Sequence, residues 1–367
     1  MKKLNLTLVL VIISTISFAG IFTVDNRSGG GANYTSVSGA INAASNGDTI
    51  YIHPSSINYG DITVNKSLVF IGPGHHPEYT GGMGVSLNQI SLSNGSSGSK
   101  FTGLILTQIR CNLFAQSHDI VISNNFFNTL QAISGGYGSN AGAFGDSDNW
   151  LIEGNVIIEG TGCGGCKVIN LRTSASTNSN WIISNNFIQT KSVENNSNLF
   201  ADLNSSTIVE NNIIVHQNTH SIFESSVSGG EFRNNIFWVT RNEITDIMVD
   251  AIGVIFSNNL TYHSNGSLIP LTGNNNVDNS NPDFIAIASD NPVWEYVNNY
   301  QLNSNSPGEN VGTDGTDVGI YGGGFPFRTE GYPQDFPRLQ AFDLLSNTIV
   351  PPGGSIEINL KATKAGL

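Results

Sequence analysis

Charge is scarce in this chain of 367 residues: 12% of them are Asp, Glu, Lys or Arg, and 15 basic residues face 28 acidic ones. The formal net charge is −13, and −15 once Lys2 and Lys3 are removed. So few bases, with no basic run, exclude nucleic acid or an acidic membrane surface as the main partner, since both are held by clustered Lys and Arg. An acidic polysaccharide would be repelled unless a metal ion bridged it. Cysteine is nearly absent as well. Three residues, Cys111, Cys163 and Cys166, are an odd number, which excludes a complete disulfide framework. No apolar run after the first twenty residues is long enough to span a bilayer, so membrane insertion is not expected.

The opening "MKKLNLTLVLVIISTISFAG" has two lysines, a short apolar run and small residues at 17 and 19. This is the pattern of a secretory leader, expected over 1–19 with cleavage after Ala19. The expectation is export to the cell surface, the periplasm or the medium. Glycine is abundant, with 41 residues, and asparagine and serine crowd the middle of the chain. Such a composition favours many turns and short strands over helices.

The most informative feature is a repeat. "VISNNFFNT" (121–129), "LIEGNVIIE" (151–159), "IISNNFIQT" (182–190), "IVENNIIVH" (208–216), "EFRNNIFWV" (231–239) and "IFSNNLTYH" (255–263) share two apolar positions, a polar pair and two more apolar positions. Aligned on the second member of the pair, the anchors are Asn125, Asn155, Asn186, Asn212, Asn235 and Asn259, at intervals of 30, 31, 26, 23 and 24 residues. A recurrence of this length marks a solenoid. Each copy reads as strand, two-residue corner, strand, with inward side chains three places before the anchor and two after it. Asparagine suits a corner because it tolerates left-handed backbone geometry, and Gly154 meets the same demand in one copy. Stacked coils would bring the amides into register, each able to bond to the next. Weaker copies at 66–74 and 99–106 carry glycine at the corner.

An open end of such a coil would expose its core. Residues 35–46 supply a plug: Val37, Ala40, Ile41 and Ala44 follow the spacing of one helical face, capped by Thr35 or Ser36. At the far end, residues 302–324 are glycine-rich and strand-like, 325–338 are proline-rich, and two apolar runs follow in 339–367. The expected organisation is a β-helix over 20–324, a linker over 325–338 and a terminal β-hairpin or β extension over 339–367.

With these features assembled, the chain resembles the right-handed parallel β-helix proteins of the pectin-lyase-like superfamily, and most of all exported β-helix repeat proteins of Bacteroidetes-type bacteria. The carriers are "SVSGAINAAS", "GDTIYI", "VNKSLVFIGPG", the repeated corners and "SPGENVGTDGTDVGIYGG", together spanning about 21–324. The resemblance implies an all-β fold: a single-stranded right-handed parallel β-helix with an N-terminal capping helix and a C-terminal β extension. For activity it implies little, because this fold hosts lyases, hydrolases, isomerases, adhesins and silent scaffolds.

Lyase relatives carry carboxylates that hold calcium, beside an arginine or lysine base. The best matching patch here is Asp146, Asp148, Lys167 and Arg172, around the longest insertions, with Asp146 and Asp148 as the calcium candidates. The alternative reading makes the two aspartates turn residues and the two bases outward strand residues. His75, His76 and His118 fall in no motif of the family, and Asp314 and Asp317 read as turn-formers of a terminal coil. No cofactor is expected, and calcium only if the protein is a lyase. "GCGGC" offers a local Cys163–Cys166 bridge, with Cys111 buried and free. Trp150 and Trp181 share the parity of buried positions, and Glu210 should pair with Arg233 one coil on. The functional expectation is a non-catalytic glycan-binding or scaffold protein. A polysaccharide lyase or glycoside hydrolase is the alternative.

Two outward rows complete the reading. Val121, Leu151, Ile182, Ile208 and Ile255 lie four before the anchors, and Phe126, Val156, Phe187, Ile213, Ile236 and Leu260 lie one after. Apolar stripes of that size need a cover. The expected cover is the tail, 339–362.

Overall fold

The computed structural model describes residues 19–129, 131–136, 145–160, 167–172, 178–191, 198–287, 292–325, 327–333, 337–344 and 358–364. The leader expected over 1–19 therefore lies almost wholly outside the described residues, as do Cys163 and Cys166.

The chain folds as a parallel β-helix. One sheet of 11 strands stacks the first strand of every coil in parallel, from Ile21–Val24 through Thr49–Ile52 and Leu151–Glu153 to Gly273–Asn274. A second sheet of 12 strands forms the other walls. Its early strands Ser86–Leu92 and Ile105–Cys111 are long. Later coils break this length in two, as in Val156–Glu159 and Lys167–Asn170, which gives a second and a third face. The register is strict. Ile122, Ile152, Ile183, Val209, Phe232 and Phe256 are aligned neighbours on the first face, and all are buried.

The corners divide labour between the two members of each pair. The first member takes the left-handed conformation: Asn124, Gly154, Asn185, Asn211, Asn234 and Asn258 have φ between 53° and 64°. The second turns its amide into the wall and is fully buried in all six copies. Each anchor's backbone N–H donates to the Oδ1 of the next, from Asn125 to Asn155 (2.9 Å) through Asn235 to Asn259 (3.0 Å). Each Nδ2 also donates to that Oδ1 and to a backbone carbonyl of the preceding coil, as Asn186 does to Ile152 O. The ladder starts at the N–H of Leu104, which donates to Asn125, and runs one step past the repeat to Asn276.

The plug is a helix, Val37–Ala43, with the Ser36 hydroxyl accepting from the Gly39 N–H. Val37, Ala40 and Ile41 are buried. A strand precedes it, Ile21–Val24, paired in parallel with Thr49–Ile52, so the helix bridges the first two coils.

The C-terminal third departs from expectation. Regular coils end near Asn276, and Phe284–Ala286 and Asn299–Leu302 form a short antiparallel pair. The chain then turns back along the outside of the corners. Asn258 Nδ2 donates to Val311 O (2.7 Å), Thr313 N–H to Asn234 Oδ1 (2.8 Å), and Asn185 Nδ2 to Ile320 O (3.0 Å) and Gly322 O (2.8 Å). Near the first coils, His75 N–H donates to Glu330 O. Asp314 and Asp317 are turn-formers, accepting from Thr316 and Asn310, but on this strap and not in a terminal coil. Of the residues read as a linker over 325–338, 325 and 327–333 are part of it, with Phe327 buried.

The strap also corrects the expected cover. Val156, Phe187, Ile213, Ile236 and Leu260 are completely buried, against Phe284, Trp294, Tyr300, Val318, Ile320 and Phe327. Phe187 meets Trp294 and Tyr300 at ring distances of 5.0 and 4.8 Å. The tail forms its own antiparallel sheet, Pro337–Leu344 with Ile358–Lys364, which among the described residues shares no ladder with the helix; 345–357 of the expected cover lie outside the described residues. The stripe does need a cover, but the strap wins because the left-handed asparagines beside it offer amides to its backbone. The row four before the anchors stays open: Val121, Leu151, Ile182 and Ile208 are half-buried, and Ile255 is exposed.

Candidate functional site

Ahead of the first face, each coil turns a second corner. There Asp119, Asn149 and Asn180 have φ of 57–59°, and their side chains form a short surface ladder. The residues just before it are set by what points inward. Ser117 and Ser147 are fully buried, and their carbonyls accept the indole N–H of Trp150 and Trp181, each at 2.6 Å. The two indoles are buried and stacked, with ring centres 4.6 Å apart, so the core role expected for them holds. With Ser147 turned in, alternation turns Asp146 and Asp148 out on the same side. Parallel pairing of Gln116 with Asp146 places His118 one coil from Asp148.

Three side chains meet there. His118 Nε2 lies 3.9 Å from Asp146 Oδ2, and His118 Nδ1 lies 3.7 Å from Asp148 Oδ2. One ring nitrogen and one oxygen from each carboxylate all fall within 4.8 Å of one another, in a half-exposed setting. Asp148 Oδ1 accepts from the Ser179 hydroxyl at 2.8 Å, which fixes the direction of its other oxygen. The Asp148 N–H approaches His118 Nδ1 at 3.3 Å. Asp146 Oδ1 is buried without a hydrogen-bond partner.

Asp146 and Asp148 thus come together, but Lys167 does not join them. Its ammonium is on the third face, 2.7 Å from Asn198 Oδ1 and 2.8 Å from Glu224 Oε1. Arg172 adopts φ 60°, with its side-chain stem packed near Gly136, itself beside Gly145. Sequence reasoning set His118 aside for lack of a motif and missed Ser179. The signal was available: counting seven back from the anchors at 125, 155 and 186 lands on His118, Asp148 and Ser179, one outward column.

Several other titratable groups serve the packing of the fold. Burial pushes the Cys111 thiol up to about 11, and it is a free, buried cysteine. Burial, with His76 alongside, holds His75 down to about 3. Its ring packs between Phe126 and Tyr296, with Nδ1 3.0 Å from the tyrosine hydroxyl. The Glu210–Arg233 pair forms at 2.7 Å, with Glu231 on the same guanidinium. Among the described residues no helix is long and apolar enough to cross a membrane.

No family description matches the chain, and no curated protein matches it. Among solved structures, a crystal structure of pectate lyase Pel9A is similar in fold, at 12% identity and a TM-score of 0.42, covering 84% of this chain and 97% of that one.

Proposed function

We propose that this is an exported, non-catalytic surface protein that binds a glycan or another repeating polymer along the outer side of its first face. The observation that carries the reading is the open row Val121, Leu151, Ile182 and Ile208, half-buried across four successive coils. Beside it run Ser123, Glu153 and Glu210, partly exposed, with Ser184 buried between them and Glu210 paired to Arg233, so apolar and polar positions alternate on one wall. They repeat at the strand spacing of about 4.8 Å, a pitch suited to a ligand built of repeated units. Desolvation raises the Glu153 carboxyl above its ordinary range, with Lys100 opposing, which marks a wall already partly withdrawn from water.

The competing reading is a polysaccharide lyase or glycoside hydrolase. It draws on His118 between two carboxylates; of the two bases it called on, Lys167 and Arg172, the first is bound to Glu224 on another face. The test is a panel of soluble polysaccharides in affinity electrophoresis, with parallel incubations on polyuronides, with and without calcium, followed by absorbance of unsaturated ends and by reducing-sugar release. Retarded migration without product, weakened by Leu151→Asp or Ile182→Asp, is the expected result. Product formation overturns the reading, as does binding that both substitutions leave untouched.

A further inference from the structure

We propose that His118, Asp146 and Asp148 bind a divalent transition ion of the zinc class. Four features converge on that corner. The donors are one imidazole and two carboxylates, a set that suits zinc and its neighbours, whereas calcium takes six to eight oxygens. They project from two adjacent coils whose register is locked by the buried Ser117 and Ser147 carbonyls beneath the tryptophans. Among the described residues, no Lys or Arg lies within ion-pair reach of either aspartate, and the one basic side chain beside them is His118. Finally, Asp146 Oδ1 is buried with no partner, so this carboxylate can swing towards an ion without breaking a hydrogen bond.

The geometry needs modest closure. An ion with four bonds of about 2.0–2.2 Å holds its ligands about 3.4 Å apart. The 3.7 Å between His118 Nδ1 and Asp148 Oδ2 is a few tenths beyond that. In the neutral ring with its proton on Nε2, the Nδ1 lone pair meets only the long contact from the Asp148 N–H, at 3.3 Å, which an ion would replace. Ser179 is a positioning residue, because its hydroxyl holds Asp148 Oδ1 and leaves Oδ2 for the ion. Three protein ligands leave at least one position open to water or to an oxygen of a ligand.

The experiment titrates zinc into the full chain after chelator dialysis, in a Cys163→Ser/Cys166→Ser background so that thiolates cannot compete. About one zinc per chain should bind. His118→Ala and Asp146→Asn should each weaken binding by about a hundredfold or more, and Ser179→Ala by about tenfold. Cobalt should give a visible absorption band that is lost in His118→Ala, and millimolar calcium should not displace zinc. Circular dichroism and thermal unfolding establish that each variant is folded, and Asp146→Asn, the gentler change, covers the failure of His118→Ala to fold. Absence of stoichiometric zinc in the parent overturns the proposal. So does unchanged affinity in folded His118→Ala or Asp146→Asn, or displacement of zinc by calcium. The proposal stands apart from the polymer-binding reading: zinc can fail to bind while glycans are retained, and the reverse.

Discussion

Replacing Asn186 by alanine is the sharpest test of how this solenoid is held together. The side chain is completely buried, in the middle of the ladder. Its Oδ1 accepts from the backbone N–H and the Nδ2 of Asn155, both at 2.9 Å. Its Nδ2 donates to Ile152 O, Ser184 O and Asn212 Oδ1 at 2.9–3.0 Å. Removing the amide leaves the Asn155 N–H with no acceptor in a dry wall. The Ile152 carbonyl also loses a donor. A buried polar group left unsatisfied costs about 1–3 kcal/mol, so two of them, one only partly orphaned, give about 2–5 kcal/mol. Asn186→Asp should be worse, because a carboxylate keeps the acceptor, loses both donors and buries a charge. Asn276→Ala removes the last rung, where the amide is only half-buried and its donor bond to Phe256 O is long at 3.3 Å, and should cost about 1 kcal/mol. Urea unfolding of the three variants gives the differences, and hydrogen exchange at the Asn155 amide reports the orphaned donor directly. A loss below about 1 kcal/mol for Asn186→Ala, or equal losses at 186 and 276, would refute the reasoning.

Three further outcomes follow from the packing. Burial holds His75 near 3 and His216 near 4, both below the ordinary imidazole value, so each stays neutral in the fold. Their contribution is intact above about pH 6.5 and is lost as pH falls towards those values, at up to about 1.4 kcal/mol per unit for each; urea midpoints at pH 7 and 5 should separate, and less so in His75→Phe. Gly154→Ala places a methyl against the Phe325 ring at φ 64°, so it should cost about 1–3 kcal/mol and loosen the strap, read as faster proteolysis near 325. A double-mutant cycle on Glu210→Gln and Arg233→Gln should return about 1 kcal/mol or less, since both partners are partly exposed, and a coupling above 2 kcal/mol would contradict that.

The periodic part of this protein is written in its sequence. Left-handed corners favour asparagine or glycine, and a wall with one dry side enforces alternation, so the six anchors, their inward neighbours and the capping helix could be read by counting. The column holding His118, Asp148 and Ser179 was equally countable, though its chemistry shows only once neighbouring coils are superposed. Tertiary structure alone decided the strap. Asn185 and Ile320 lie 135 residues apart, and nothing periodic links them. An outward apolar row demands a cover but does not name it. The cover is chosen by which segment can both fill the row and satisfy its own backbone, and here the corner amides of Asn185, Asn234 and Asn258 serve residues 311–322, whereas the tail has a partner strand of its own. Lys167 shows the same limit from the other side. Its distance from Asp148 in sequence says nothing of the face it occupies, because a loop of variable length decides whether a strand falls on the second wall or the third.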